Sequence, residues 1–140
     1  MYKKILVTLD GTSTDRAIIE HIKQLAKFMQ AQILLLHVAD GWAARTFGPD
    51  AVSTEITEDT EYLNKVQMEF QSAGISAETQ LAYGEPSKEI IRCLEQKDCD
   101  LVAMSTHGHG PLKDWILGSV ADELRHRTSV PILMIRASHD

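Results

Sequence analysis

The feature that most constrains the fold of this chain is its alternation of short, predominantly apolar runs with longer segments of helical periodicity. Continuous apolar runs are typical of strands buried on both faces of a parallel sheet. They occupy residues 5–7, 33–38, 101–104 and 130–135. In residues 75–81, by contrast, apolar and polar residues alternate, which predicts a half-buried strand at an edge of the sheet.

The segments between these runs predict four helices. Thr12 or Ser13 can cap the first helix, Gly74 ends the second, the turn at residues 84–86 opens the third, and the fourth begins near Gly118. The inner faces of the first three are predicted to carry Ile18, Ile22, Leu25, Met29; Ile56, Leu63, Val66, Phe70, Ala73; and Ile90, Ile91, Leu94. Alternating strands and helices predict an α/β fold, a single open five-stranded parallel sheet with helices on both faces. Residues 1–140 are predicted to form one domain.

Composition limits the classes of function. Of its 140 residues, 44% are hydrophobic and 24% are charged, which is typical of globular proteins. The net charge is -6, so the chain lacks the excess of basic residues that nucleic-acid binding needs. The two cysteines, Cys93 and Cys99, form no CxxC motif and suggest neither a disulfide scaffold nor a metal site. The amino terminus has no signal-peptide pattern, and no apolar run is long enough to span a membrane. We therefore expect a cytoplasmic protein without nucleic-acid or membrane partners.

Ligands of open parallel sheets bind beyond the carboxyl ends of the strands, where the strand order reverses. The most informative segment there is residues 105–119. Gly108 and Gly110 allow backbone N–H groups to approach an anion, and Gly118 and Ser119 open a helix whose N–H groups face the same place. These features are compatible with phosphate binding, but from the residues alone the glycines can equally form an ordinary turn and helix start.

Ser-Thr-His-Gly108, nine further residues and Gly118-Ser119 resemble the ATP-binding motif of the universal stress protein family, G-x2-G-x9-G-(S/T), with Ser105 in place of the first glycine. KKILVTLDGT, ILLLHV, Gly-Glu-Pro86 and SVPILMIR extend the resemblance along the chain. It implies strand order 3-2-1-4-5 and a regulatory role in stress response. It also implies a bound adenine nucleotide (ATP, or AMP or ADP, with or without Mg²⁺) and a homodimer formed through residues 130–136.

The resemblance also implies the binding residues. Asp10 matches the aspartate near the adenosine and Val38 an adenine-contacting position, with Thr8 opposite it. The predicted site comprises Thr8, Asp10, Val38, Ser105, Thr106, His107, Gly108, His109, Gly110, Gly118, Ser119 and Val120. Two simpler interpretations stay open: Asp10 as a partner of a helix dipole, and Val38 as a core residue.

Other residues of these loops favour no second site. His107 and His109 lack a carboxylate or cysteine at ligand spacing, so we expect no metal site. Lys113 is suited to reach a γ-phosphate, and Trp42 and Phe47 either form a lid or cover a helix.

Alternative functions remain. P-loop and dinucleotide-binding motifs are missing from the sequence. Phosphoryl transfer needs a positioned base and a charge-neutralising group, and no carboxylate pair stands beside the 105–119 loop in sequence. We therefore expect a non-catalytic nucleotide-binding protein with no catalytic residues. The alternatives are a slow ATP hydrolase or phosphotransferase and a nucleotide-free protein-interaction module.

Overall fold

A computed structural model describes residues 1–39, 49–106 and 120–137 of the chain. Its strands are β1 Lys4–Thr8, β2 Gln32–Ala39, β3 Ala77–Tyr83, β4 Leu101–Ser105 and β5 Ile132–Ile135. Its helices are α1 Arg16–Met29, α2 Pro49–Ser72, α3 Pro86–Lys97 and α4 Ala121–Arg127, and a 3-10 turn, Ser13–Asp15, precedes α1.

The five strands form one parallel sheet in the order β3-β2-β1-β4-β5, which confirms the predicted fold class and strand order. Val7 of β1 lies between Leu35 of β2 and Ala103 of β4. The chain runs outward from β1 in one direction to β3 and then returns to β4 on the other side. The strand order therefore reverses between β1 and β4, and the carboxyl ends of these strands mark the expected ligand position.

Two apolar cores cover the two faces of the sheet. Helices α1 and α2 pack on one face, with Ile18, Ile22 and Phe70 fully buried. Helices α3 and α4 pack on the other face, through residues such as Ile90, Leu94 and Leu124. Burial on both faces explains why β1, β2 and β4 are continuous apolar runs in the sequence.

Some element boundaries differ from the prediction. Strand β3 begins and ends two residues later than expected, and β5 begins at Ile132 because Pro131 before it has no N–H and contributes only its carbonyl, to the N–H of Val102. Ile56 was predicted to face inward but is 39% exposed, since the buried stripe of α2 starts only near Leu63. The predicted helix start near Gly118 lies outside the described residues, and α4 is described from Ala121.

Candidate functional site

A cleft of about 550 Å³, including the part open to solvent, lies at the carboxyl edge of the sheet where the strand order reverses. The lining residues are Thr8, Leu9, Asp10, Asp15, Leu36, His37, Val38, Pro86, Ile90, Met104, Ser105 and Val120.

The cleft has an apolar part and a polar part. Val38, Met104 and Val120 belong to the buried core beneath α3 and α4, together with Ile90. The carboxylate of Asp10 and the hydroxyls of Thr8 and Ser105 provide polar groups. An apolar wall beside a few polar groups suits a ligand that combines a flat ring with hydroxyl or charged groups.

Five residues of the predicted site line this cleft: Thr8, Asp10, Val38, Ser105 and Val120. Thr106 is not among the lining residues, and its backbone N–H donates to the carbonyl of Ile135. The remaining predicted residues, His107, Gly108, His109, Gly110, Gly118 and Ser119, lie outside the described part of the chain, as do Lys113, Trp42 and Phe47.

Asp10 is held by the hydroxyl groups of the turn that follows it. The side chains of Thr12 and Thr14 both donate to Asp10 Oδ2 at 3.3 Å, and the two hydroxyls lie 2.7 Å apart. Thr12, one of the two residues predicted to cap the first helix, caps the 3-10 turn that precedes it, and the N-cap position of α1 is Asp15. These contacts hold the carboxylate of Asp10 in the lining of the cleft.

Asp15 is a site residue that the sequence analysis missed. Its carboxylate is 1% exposed and turns back from the helix to accept the N–H of Asp10 at 2.9 Å and the N–H of Gly11 at 2.9 Å. The hydroxyl of Tyr62 on α2 donates to it at 2.6 Å. Burial raises the pKa of Asp15, and the hydrogen bonds from Tyr62, Asp10 and Gly11 oppose that rise without cancelling it. The same burial, reinforced by the Asp15 carboxylate, raises the pKa of Tyr62.

Ser105 contributes a buried hydroxyl with no hydrogen-bond partner among the described residues. The residue is 6% exposed and lines the cleft. A buried hydroxyl without a partner is unfavourable unless a ligand or water satisfies it. Such a group in the lining of a cleft is therefore suited to contact a polar ligand.

His37 forms part of the cleft wall. Its Nδ1 donates to the carbonyl of Leu9 at 2.9 Å, and its Nε2 lies 3.5 Å from Asp59 Oδ2 on α2. Burial raises the pKa of Asp59, and the charge of His37 opposes the rise. Gly11 has a φ of +89°, and a Cβ there would lie 3.5 Å from the His37 ring. The backbone at Gly11 therefore lies next to the His37 ring, and its positive φ favours glycine at this position.

Within the described ranges, no group of three or more histidine, cysteine or acidic side chains is arranged to hold a metal ion. Among the same residues, no helix is both long and apolar enough to cross a membrane.

Comparison with known proteins gives one consistent result. Residues 1–136 match the model of the universal stress protein family. Universal stress protein YxiE of Bacillus subtilis is 28% identical over 97% of this chain and all of its own length. The solved structure of MJ0577, a universal stress protein of Methanocaldococcus jannaschii, superposes with a TM-score of 0.77 at 26% identity, covering 100% of this chain and 99% of that one.

A third comparison concerns a more distant structure. The universal stress protein of Archaeoglobus fulgidus, solved in complex with dAMP, superposes with a TM-score of 0.71 at 19% identity, covering 96% of this chain and 98% of its own. At that identity the similarity establishes a shared fold.

Proposed function

The chain belongs to the universal stress protein family, and we propose that it binds an adenine nucleotide, ATP or its products ADP and AMP, in the cleft between the ends of β1 and β4. The observation that carries this proposal is the position of the cleft at the reversal of strand order, with an apolar wall on one side and Asp10 and Ser105 on the other. The dAMP complex of the A. fulgidus relative supports it.

Each part of the cleft suits a different part of a nucleotide. The apolar wall that includes Val38 and Val120 can pack against an adenine ring, and the carboxylate of Asp10 can accept a hydrogen bond from a ribose hydroxyl or an adenine amine. We assign the phosphates to the 107–119 loop, since its glycine spacing resembles the family's ATP motif. Where Mg²⁺ accompanies the nucleotide, the phosphate oxygens are suited to hold it.

Nucleotide binding is tested by isothermal titration of ligand-free protein with ATP. We expect micromolar affinity, on the order of −8 kcal/mol. Gly118→Val should abolish binding, because a Cβ there would intrude where the backbone meets the phosphates, and Asp10→Ala should weaken it without unfolding the protein. The assignment would be contradicted if the wild-type protein gave neither binding heat nor a thermal shift with ATP. It would also be contradicted if a folded Gly118→Val variant bound ATP with wild-type affinity.

We propose that the nucleotide has a regulatory rather than a catalytic role. Two carboxylates line the described part of the cleft: Asp10, which we assign to the adenosine, and Asp15, which is fully engaged by backbone N–H groups and Tyr62 and does not present itself as a base. Multiple-turnover hydrolysis should therefore be far slower than the roughly one per second of working enzymes. A phosphate-release assay on purified protein checks this, and ordinary enzyme rates that disappear in Gly118→Val would favour the hydrolase alternative.

The regulatory role proposed here is in the stress response, in a cytoplasmic homodimer joined through residues 130–136. Strand β5 supports the dimer, because it forms one edge of the sheet and is only partly buried.

A further inference from the structure

We infer that Asp15 and Tyr62 are positioning residues for the nucleotide site: they fix the loop that carries Asp10, and do not themselves contact the ligand. The part of this inference that concerns affinity rests on the proposed function. The part that concerns the loop does not, because it can be measured without a nucleotide.

The contacts of Asp15 leave it little capacity to bind a ligand. Oδ1 accepts the N–H of Asp10 at 2.9 Å, and Oδ2 accepts the N–H of Gly11 at 2.9 Å and the hydroxyl of Tyr62 at 2.6 Å. The residue is 1% exposed. Although it stands at the N-cap position of α1, its side chain makes no hydrogen bond to that helix. The carboxylate therefore serves the preceding loop rather than the helix or the solvent.

Two successive N–H groups bound to one carboxylate define the orientation of the backbone at residues 10 and 11. Gly11 completes this turn with a φ of +89°. The direction in which the Asp10 side chain leaves the backbone depends on that orientation, and Thr12 and Thr14 then hold its carboxylate. Loosening the contacts of Asp15 should consequently displace Asp10 before it disturbs the sheet.

Tyr62 connects this arrangement to helix α2. Its hydroxyl also approaches the carbonyl of Thr12, at 3.4 Å. A buried carboxylate is costly unless its hydrogen bonds are complete, so the phenol supports the arrangement from outside the loop. In the sequence Tyr62 is unremarkable, since it only adjoins Leu63 in the apolar stripe of α2.

The competing interpretation is that Asp15 only stabilises the fold, and the chain contains a matched control for it. Asp100 accepts the N–H groups of Lys3 and Lys4, at 2.9 and 3.1 Å. It thus binds two successive backbone N–H groups at the amino end of β1, opposite the cleft. Asp100→Asn should cost stability as Asp15→Asn does, but should leave the nucleotide site intact. For the tyrosine, Tyr2→Phe is the control, because Tyr2 precedes β1 and packs against the core away from the cleft.

The first test is hydrogen exchange in the ligand-free protein. Tyr62→Phe removes only one hydroxyl, so this variant should fold even if Asp15→Asn does not. We expect the amides of Asp10 and Gly11 to exchange about tenfold faster in Tyr62→Phe, the factor expected from losing one hydrogen bond to a charged group. Tyr2→Phe should not change them. Unchanged exchange at both amides in Tyr62→Phe would overturn the inference, whatever the protein binds.

The second test is a double-mutant cycle of ATP affinity. Tyr62→Phe should weaken ATP binding about tenfold in the wild-type background and have almost no effect in the Asp10→Ala background, since it acts through Asp10. Asp100→Asn should leave the affinity unchanged in both. Equal effects of Tyr62→Phe in both backgrounds, or none in either, would refute the positioning role while nucleotide binding stands. A wild-type protein that binds no ATP would instead refute the proposed function, and the exchange result would still decide the role of Tyr62 in the loop.

Discussion

At the scale of single residues, the hydroxyl of Ser105 should lower the stability of the fold and raise the affinity for a ligand. It is buried without a hydrogen-bond partner among the described residues, which is unfavourable. With a nucleotide in the cleft, the same hydroxyl can donate to the ligand, which the glycine of the family motif cannot do. Stability and affinity should therefore change in opposite directions when this hydroxyl is removed.

We expect Ser105→Ala to raise the free energy of unfolding of the ligand-free protein by about 1 kcal/mol and to weaken ATP binding several-fold. Urea denaturation and isothermal titration measure the two effects. Ser87→Ala is the control: Ser87 is also buried, at 2% exposure, but donates to Glu123 at 2.8 Å, so its loss should destabilise the protein. A Ser105→Ala protein that is less stable, or that binds ATP as tightly as wild type, would contradict this interpretation.

Individual site residues differ in how far the sequence reveals them. Asp10 and Val38 were predicted from the resemblance to the universal stress protein family, and both line the cleft; their binding roles stay predictions. Asp15 was not identifiable from its local pattern: Thr12-x-x-Asp15 has a spacing close to that of a capping box, whereas the carboxylate accepts the N–H groups of Asp10 and Gly11. Tyr62 lies on α2, 47 residues after Asp15 in the sequence, and no local pattern predicts a contact between them.

At the scale of elements, helices α1 and α2 are joined by a cluster of charges beside their apolar contact. Glu69 of α2 accepts from Arg16 at 3.0 Å and from Lys23 at 3.0 Å, both on α1. Burial alone would raise the pKa of Glu69, but the hydrogen bonds from these two cations outweigh it and lower the pKa. A carboxyl group whose pKa is lower in the folded protein stabilises it above the pKa of the unfolded chain.

Glu69→Gln should lower the free energy of unfolding by about 1 kcal/mol at neutral pH, a modest value because Arg16 is 48% exposed. The difference from wild type should persist down to pH 4.5, the ordinary value for a glutamate, and disappear as the pH falls through the lowered pKa of the folded state. Denaturation curves over this pH range provide the measurement. Asp122→Asn, which breaks an exposed pair within one helix, should cost much less. A difference that grows on acidification would show the sign to be wrong.

The order and type of the elements were predictable, whereas their ends were less so. Wholly apolar strands and amphipathic helices follow directly from burial on two faces, and the alternating pattern of residues 75–81 correctly indicated an edge strand. The first residue of β5 depends on backbone pairing that hydrophobicity does not report, and the exposure of Ile56 depends on where α2 meets the sheet. Both are properties of tertiary contact rather than of local sequence.

At the scale of the whole molecule, the sheet has two different edges. Strand β3 ends one side and carries polar residues such as Glu78 and Gln80. Strand β5 ends the other side and is apolar throughout, with Ile132, Leu133 and Ile135 half-buried and Met134 38% exposed. An apolar edge strand invites pairing with another chain. The asymmetry of the edges therefore favours association through β5.

We expect a homodimer in which β5 pairs with the same strand of a second copy around a two-fold axis. Such an interface satisfies the open edge and ends the assembly at two chains. Met134→Lys should split the dimer, because two lysines would be brought together across the axis, and should cost little within a monomer since Met134 is already 38% exposed. Light scattering at tens of micromolar measures the mass. Met68→Lys, the same change at a methionine of α2 that is 65% exposed, should leave the dimer intact. A monomer mass for the wild-type protein, or a dimer that survives Met134→Lys, would exclude assembly through this strand.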